Sequence, residues 1–330
     1  MSCNYAENLS PYDDKGILGT PEIFESPEIV NEKVEKLVDM ILAAKHVVVH
    51  TGAGISTSTG IPDFRGPTGV WTLEEKGVKP KFDVDFQSAV PSKTHRALKA
   101  LMDRGFIKFI ISQNIDGLHL RSGIKRDNLA ELHGNFFISE CPKCKLKFVR
   151  TTPVPTVGLK PTGETCKSRL RSCRGKLVDT ILDWEGSLPD DDLELSIMHS
   201  TLADLNIGLG SSFQIMPSGK LPLRNKKFGG KFALVNLQPI KVEKTADLVI
   251  HSYVDDVMDK VLKRLGIEDI PEYNPNDDPT RNGDEGAWNI ENAVIKKIEK
   301  VYKEKVSRKK TTKDEDVKVD KKKRKVEEDE

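Results

Sequence analysis

Apolar positions change period repeatedly along this chain. In residues 28–45, EIVNEKVEKLVDMILAAK, Val30, Val34, Leu37, Val38, Ile41 and Leu42 recur at spacings of three and four, which predicts an amphipathic helix. HVVVH follows, short, β-branched and closed by Thr51 and Gly52, which predicts a buried parallel strand. SKTHRALKALMDRG then reads as a helix ending at Gly105, and FIKFIIS as a strand ending at Ser112. KLVDTILDW, LNIGLGSS, KFALVN and ADLVIHS are further strand candidates. YVDDVMDKVLKRLG aligns Val254, Val257, Met258, Val261 and Leu262 on one helix face. About six strands with helical crossovers predict an α/β fold around a parallel sheet.

Ligands of open α/β sheets collect at the carboxyl ends of the strands. Here those ends are Thr51–Gly54, Gln113–Gly117, Gly210–Ser212, Asn236–Gln238 and His251–Val254, all polar or glycine-rich. The first opens TGAGISTSTGIPDFRG, where Gly52 and Gly54 are followed by Thr57 in the place of a third fingerprint glycine. Backbone N–H groups and the hydroxyls of Ser56, Thr57 and Ser58 suit a phosphate. An ordinary strand-to-helix turn is the plainer alternative, against which Asp63, Phe64 and Arg65 set a carboxylate, an aromatic ring and a guanidinium on the same loop. SQNIDGLH groups Gln113, Asn114, Asp116 and His119 past a strand, either as ligand contacts or as helix caps. His133, in ELHGN, is a candidate general base among six competing histidines.

Four of the five cysteines form Cys141-x2-Cys144, then, after twenty-one residues, Cys166-x6-Cys173. That spacing predicts one structural Zn2+ with four thiolate ligands, and leaves Cys3 a bystander. The 330 residues carry a net charge of +1, but residues 296–330 hold fifteen Lys or Arg against ten Asp or Glu. No run of about 18 apolar residues and no apolar leader is present, so a soluble intracellular protein without a membrane partner is expected. Beyond Ile270, PEYNPNDDPTRNGDEG reads as linker and WNIENAVIKKIEKVY as a short helix with Val294, Ile298 and Val301 aligned. The remainder is expected to be a disordered charged tail. Within it DKKKRKV, residues 320–326, reads as a nuclear-import signal or, more plainly, as a solvated charge run.

Together, GAGISTSTGIPDFRG, QNIDGLH, LHGN, GSS and VNLQ, with a four-cysteine module after LHGN, resemble the sirtuins, NAD-dependent protein deacylases. NYAENLSPYDDKG, ILDWEGSLPD and the spread second cysteine pair narrow the resemblance to the chromatin-associated class IV branch, over residues 1 to about 268. It implies a Rossmann-like NAD-binding domain (residues 28–135 and 176–268) carrying a small zinc module (136–175), an N-terminal extension (1–27) and the tail (269–330). It assigns Ala53, Thr57, Phe64, Arg65 and Trp71 to the first NAD loop, and Gln113 and His133 to the nicotinamide ribose. Gly210, Ser211 and Ser212 fall to the phosphates and second ribose, and Asn236, Gln238 and Val254 to adenosine. Asn114, Ile115 and Asp116 seat the nicotinamide carboxamide.

The implied chemistry is attack of the acyl-lysine oxygen on the ribose carbon as nicotinamide leaves, with His133 as base and Asn114 and Asp116 as its catalytic companions. The acyl group ends on ADP-ribose. Asp183, Trp184 and Glu185 replace the family's usual phenylalanine-glycine-glutamate, a change associated with long fatty-acyl groups. The implied partners are acylated histone tails and nucleosomes, DNA through the basic surface and tail, and an import receptor. The implied location is nuclear chromatin, with mono-ADP-ribosyl transfer as a variant outcome. The competing reading is a catalytically weak zinc-bearing chromatin-binding protein.

Overall fold

A computed structural model of the chain describes residues 8–80, 84–168, 173–281 and 287–327, with side chains as far as Lys309. In chain order its strands are β1 (Val47–Thr51), β2 (Ile107–Ser112), β3 (Leu129–Glu131), β4 (Ile138–Glu140), β5 (Lys147–Val149), β6 (Pro161–Thr165), β7 (Lys176–Asp179), β8 (Leu205–Leu209), β9 (Lys231–Val235) and β10 (Leu248–Ile250). Its α-helices are α1 (Pro27–Ala43), α2 (Val70–Glu75), α3 (Lys93–Asp103), α4 (Leu118–Arg121), α5 (Asp190–Leu202), α6 (Val254–Arg264) and α7 (Asn292–Glu327). A parallel sheet of order β10-β9-β8-β1-β2-β3 forms the main domain, and an antiparallel sheet of order β5-β4-β7-β6 forms the small module.

Strand alternation divides the core between the two faces of the main sheet. Val47, Val49 and Ile110 cluster with Leu37 of α1, Leu98 of α3 and Val257 of α6, whereas Val48, Phe109 and Ile111 cluster with Leu195 and Met198 of α5. Because helices cover both faces, every residue of β1 is buried, which is why it opens with three consecutive valines and does not alternate with exposed polar residues. Ser26 starts α1 by accepting from the Ile29 N–H, with Pro27 in the first turn.

Three expectations are corrected. KLVDTILDW contributes β7 to the small sheet, so the module extends past residue 175, and the sixth parallel strand is β3. Three residues are too few for β3 to display a period. Helix α5 was not anticipated because it buries polar and apolar side chains together, among them Asp192, Ser196, Ser200 and Leu195.

The third correction concerns the expected linker and disordered tail. Asp278 is fully buried, Ala287 bridges to Phe148 of β5, and the Trp288 N–H donates to the Lys147 carbonyl at 2.8 Å. Helix α7 then lays Ile295, Ile298 and Tyr302 against the α5 side of the core. That stripe is rotated from the one anticipated, leaving Val301 exposed at 47%. Each apolar side chain so covered contributes up to about 1.5–3 kcal/mol, enough to dock a helix whose outer face is charged. The basic run 320–326 falls within the helical backbone of α7, its side chains outside the described residues.

Candidate active site

The sheet reverses its winding between β1 and β8, and a cavity of about 510 Å³ opens beyond the carboxyl ends of these strands. The loops after β1 and β8 meet there. The Gly54 N–H donates to the Gly210 carbonyl at 2.8 Å, and a Cβ on Gly54 would lie 2.8 Å from the Gly210 Cα. The loop after β1 does not become an α-helix: it makes 3-10 turns at Ala53–Ile55 and Thr57–Thr59, then leaves through Gly60 at φ +88. The glycines therefore serve close packing of two loops as well as access to a ligand.

The loop after β2 is fixed against this pair. Asn114 Nδ2 donates to the Gly52 carbonyl at 3.0 Å, and Gln113 Nε2 to Ser211 Oγ at 3.1 Å. Asp116 is buried, accepting from Ser56 Oγ at 2.7 Å and from the Leu118 N–H at 2.9 Å. Burial pushes its carboxyl above the ordinary range, against the pull of those donors. His119 is turned away, with Nε2 2.9 Å from Thr51 Oγ1 and its ring packed on His95.

His133 follows β3 on the turn before the small module. Its Nδ1 lies 2.8 Å from the Gln113 carbonyl, and because a carbonyl only accepts, Nδ1 carries the proton. Nε2 is withdrawn from solvent and has no hydrogen-bond partner among the described residues. Burial, reinforced by Arg65, pushes the imidazole below its ordinary value despite the Gln113 carbonyl. A neutral ring with an available lone pair at Nε2 is the form a general base needs.

An aromatic wall closes the cavity. The Arg65 guanidinium carbon sits 4.6 Å from the centre of Trp71, which meets Phe64 at 4.9 Å and Trp184 at 5.1 Å. Tyr12 stacks on Trp184 at 5.6 Å, Ser10 Oγ donates to Asp183 Oδ2 at 2.7 Å, and Arg65 Nε donates to the Lys15 carbonyl at 2.8 Å. The N-terminal segment is thus bound over the site, with Leu9 in the cavity lining. Sequence reasoning missed this strap, although a leucine and a tyrosine in an otherwise polar leader were a signal.

Of the residues anticipated at the site, Ala53, Phe64, Arg65, Trp71, Gln113, Asn114, Asp116, His133, Gly210, Ser211, Ser212, Asn236 and Gln238 line the cavity. Thr57 and Val254 are not among the lining residues: Thr57 is exposed, and Val254 is buried at the start of α6. The apolar part of the lining, including Ile61, Pro62, Phe86, Ile181, Leu188 and Leu193, was not anticipated. Such side chains look like ordinary core residues in sequence.

In the small module, Cys141 and Cys144 lie on the turn between β4 and β5, Cys166 follows β6 and Cys173 precedes β7. Cys141 and Cys173 sulfurs are 3.7 Å apart, Cys144 and Cys166 sulfurs 3.6 Å, and all four lie within 4.8 Å of one another. Zn–S bonds of about 2.3 Å in a tetrahedron require sulfurs about 3.8 Å apart, so the cluster fits one zinc ion. None of the four lines the cavity, which makes the site structural.

Residues 78–217 match the model of the Sir2 family. The chain is 56% identical over 308 residues to the NAD-dependent protein deacetylase Sirt6 of Drosophila melanogaster, an overlap spanning 92% of this chain and 97% of that protein. The chain therefore belongs to the sirtuin (Sir2) family. Within the family it is Sirt6-like; its identity to the NAD-dependent protein deacetylase sirtuin-7 of Mus musculus is 37% over 288 residues, 81% of this chain and 69% of that one. A solved structure described as Sir2-p53 peptide-NAD+ superposes with a TM-score of 0.54 at 30% identity, covering 71% of this chain and 99% of the other.

Proposed function

We propose that this chain is a nuclear NAD-dependent deacylase of histone lysines, accepting acetyl and long-chain fatty-acyl groups and producing nicotinamide and O-acyl-ADP-ribose. One observation carries the reading: His133 lines the cavity with Nδ1 tied to Gln113 and with Nε2 unpartnered among the described residues. NAD supplies an electrophilic ribose carbon and a neutral leaving group, so the protein has to orient and to move a proton. Ala53, Phe64, Arg65, Trp71, Gln113, Gly210, Ser211, Ser212, Asn236 and Gln238 hold NAD, with Thr57 and Val254 as outer supports. Asn114 and Asp116 seat the carboxamide, a role suited to a buried carboxyl that burial pushes toward its protonated, donating form. His133 takes the ribose hydroxyl proton through Nε2, which lets the 2′-oxygen reach the acyl carbon.

The apolar lining around Ile61, Pro62 and Phe86 favours long acyl chains as well as acetyl. Acylated histone tails and nucleosomes are the partners, the basic tail contributes DNA affinity, and residues 320–326 engage an import receptor. Capture of the ribose carbon by a protein nucleophile would give mono-ADP-ribosylation from the same first step. The test is mass spectrometry of acetyl-, myristoyl- and unmodified-lysine histone peptides after incubation with NAD. Acyl loss matched by nicotinamide release supports the proposal; no nicotinamide release from any acylated peptide refutes it.

A further inference from the structure

Arg121 of α4 and Asp278 form an ion pair in the interior, with side-chain exposures of 1% and 0%. Asp278 Oδ2 accepts from Arg121 Nε at 3.0 Å and from the Tyr273 hydroxyl at 2.5 Å. Its Oδ1 accepts from the Thr280 N–H at 2.9 Å and the Thr280 hydroxyl at 2.7 Å. The same guanidinium continues inward: Arg121 Nη1 donates to the Phe86 carbonyl at 3.0 Å, with its central carbon 5.2 Å from the Phe137 ring centre. Phe86 stacks on Phe136 at 4.4 Å and lines the cavity beside the apolar residues Ile61 and Pro62.

A buried ion pair adds little net stability, because desolvation of both charges offsets their attraction, so stability alone is a weak account of this one. Its geometry does something apolar packing cannot: through Arg121 it ties a backbone carbonyl of the cavity wall to a segment that lies 157 positions beyond Arg121 in the chain. We propose that Arg121 and Asp278 are positioning residues which hold the Phe86 wall and thereby set how long an acyl chain the cavity takes. The proposal rests on the deacylase reading above. Neither residue lines the cavity, so both act through Phe86.

The experiment is steady-state kinetics of the full chain at saturating NAD, on one peptide carrying acetyl- or myristoyl-lysine. Asp278→Asn removes the charge partner of Arg121, and the myristoyl KM should rise about tenfold while the myristoyl kcat and both acetyl constants stay within about twofold. If that variant does not fold, Arg121→Met combined with Asp278→Leu removes both charges together and keeps the volume filled. It lacks the bond to Phe86, so the same split is expected. Equal losses on both peptides, or no change on either, overturn the positioning role and leave the deacylase reading standing. Wild-type protein that processes acetyl-lysine but neither binds nor processes myristoyl-lysine also overturns it. No turnover of either peptide removes the deacylase reading with it.

Discussion

The His133 imidazole donates through Nδ1 to the backbone carbonyl of Gln113 at 2.8 Å, which fixes its tautomer and leaves the lone pair on Nε2. Its pKa is pushed down by burial and by Arg65, so the ring is already neutral at neutral pH. The acidic limb of kcat/KM against pH, which reports the free enzyme, should therefore have its midpoint below the ordinary imidazole value of about 6.5. His133→Tyr should lower turnover by about 10²- to 10⁴-fold with circular dichroism and zinc content unchanged. A midpoint above the ordinary value, or full turnover in the variant, would remove His133 as the base.

Gly54 and Gly210 are in backbone contact across the loops that follow β1 and β8. A methyl group on Gly54 must push those loops apart. Gly54→Ala should raise the KM for NAD by about tenfold or more, while the acyl-peptide KM moves by less than about twofold. Equal changes in both would mean that the loop does not belong to the NAD side.

The four-cysteine cluster should hold about one zinc per chain. Cys144→Ser should lower both metal content, by elemental analysis, and the yield of folded protein, because binding at a structural site is folding free energy. Unchanged stoichiometry would contradict the assignment.

Glu131, two residues before His133, accepts from Trp288 Nε1 at 3.1 Å and from Asn135 Nδ2 at 2.5 Å. Burial nevertheless pushes its carboxyl up to about 7. A raised folded-state pKa means that the native protein holds this proton more tightly than the unfolded chain between the ordinary glutamate value of 4.5 and about 7. Its effect on stability therefore worsens as pH rises through that window. Glu131→Gln should lack this slope, so its melting temperature relative to wild type should be higher at pH 8 than at pH 5. The same difference at both values would mean that Glu131 does not titrate there.

Periodicity revealed the elements whose environment is simple. Helix α1, buried on one side, showed the 3.6-residue pattern, and β1, buried on both, showed an unbroken run of three valines. It failed for α5, whose buried carboxylate Asp192 is paired inside the fold, Arg126 Nη1 donating to its Oδ1 at 2.7 Å. Composition misled at the C-terminus, because Asp278 and Trp288 find partners more than 150 positions earlier in the chain, as the Arg121 and Glu131 contacts illustrate. The polar half of the site was legible because glycines and amides after a strand have few structural uses. Its apolar half was not, since Phe86 and Ile61 differ from core residues only in facing a cavity.

The most direct test of the central claim follows oxygen. The acyl-lysine peptide is turned over with NAD in heavy-oxygen water, and the products are read by mass spectrometry. If the amide oxygen attacks the ribose carbon as nicotinamide leaves, and the 2′-oxygen then takes the acyl group, the amide oxygen stays on the ribose. Solvent oxygen must then enter the acyl group of O-acyl-ADP-ribose, and that is the expected result. Label on the ribose of unacylated ADP-ribose with the peptide still acylated, or label in a free carboxylate with NAD untouched, would contradict it.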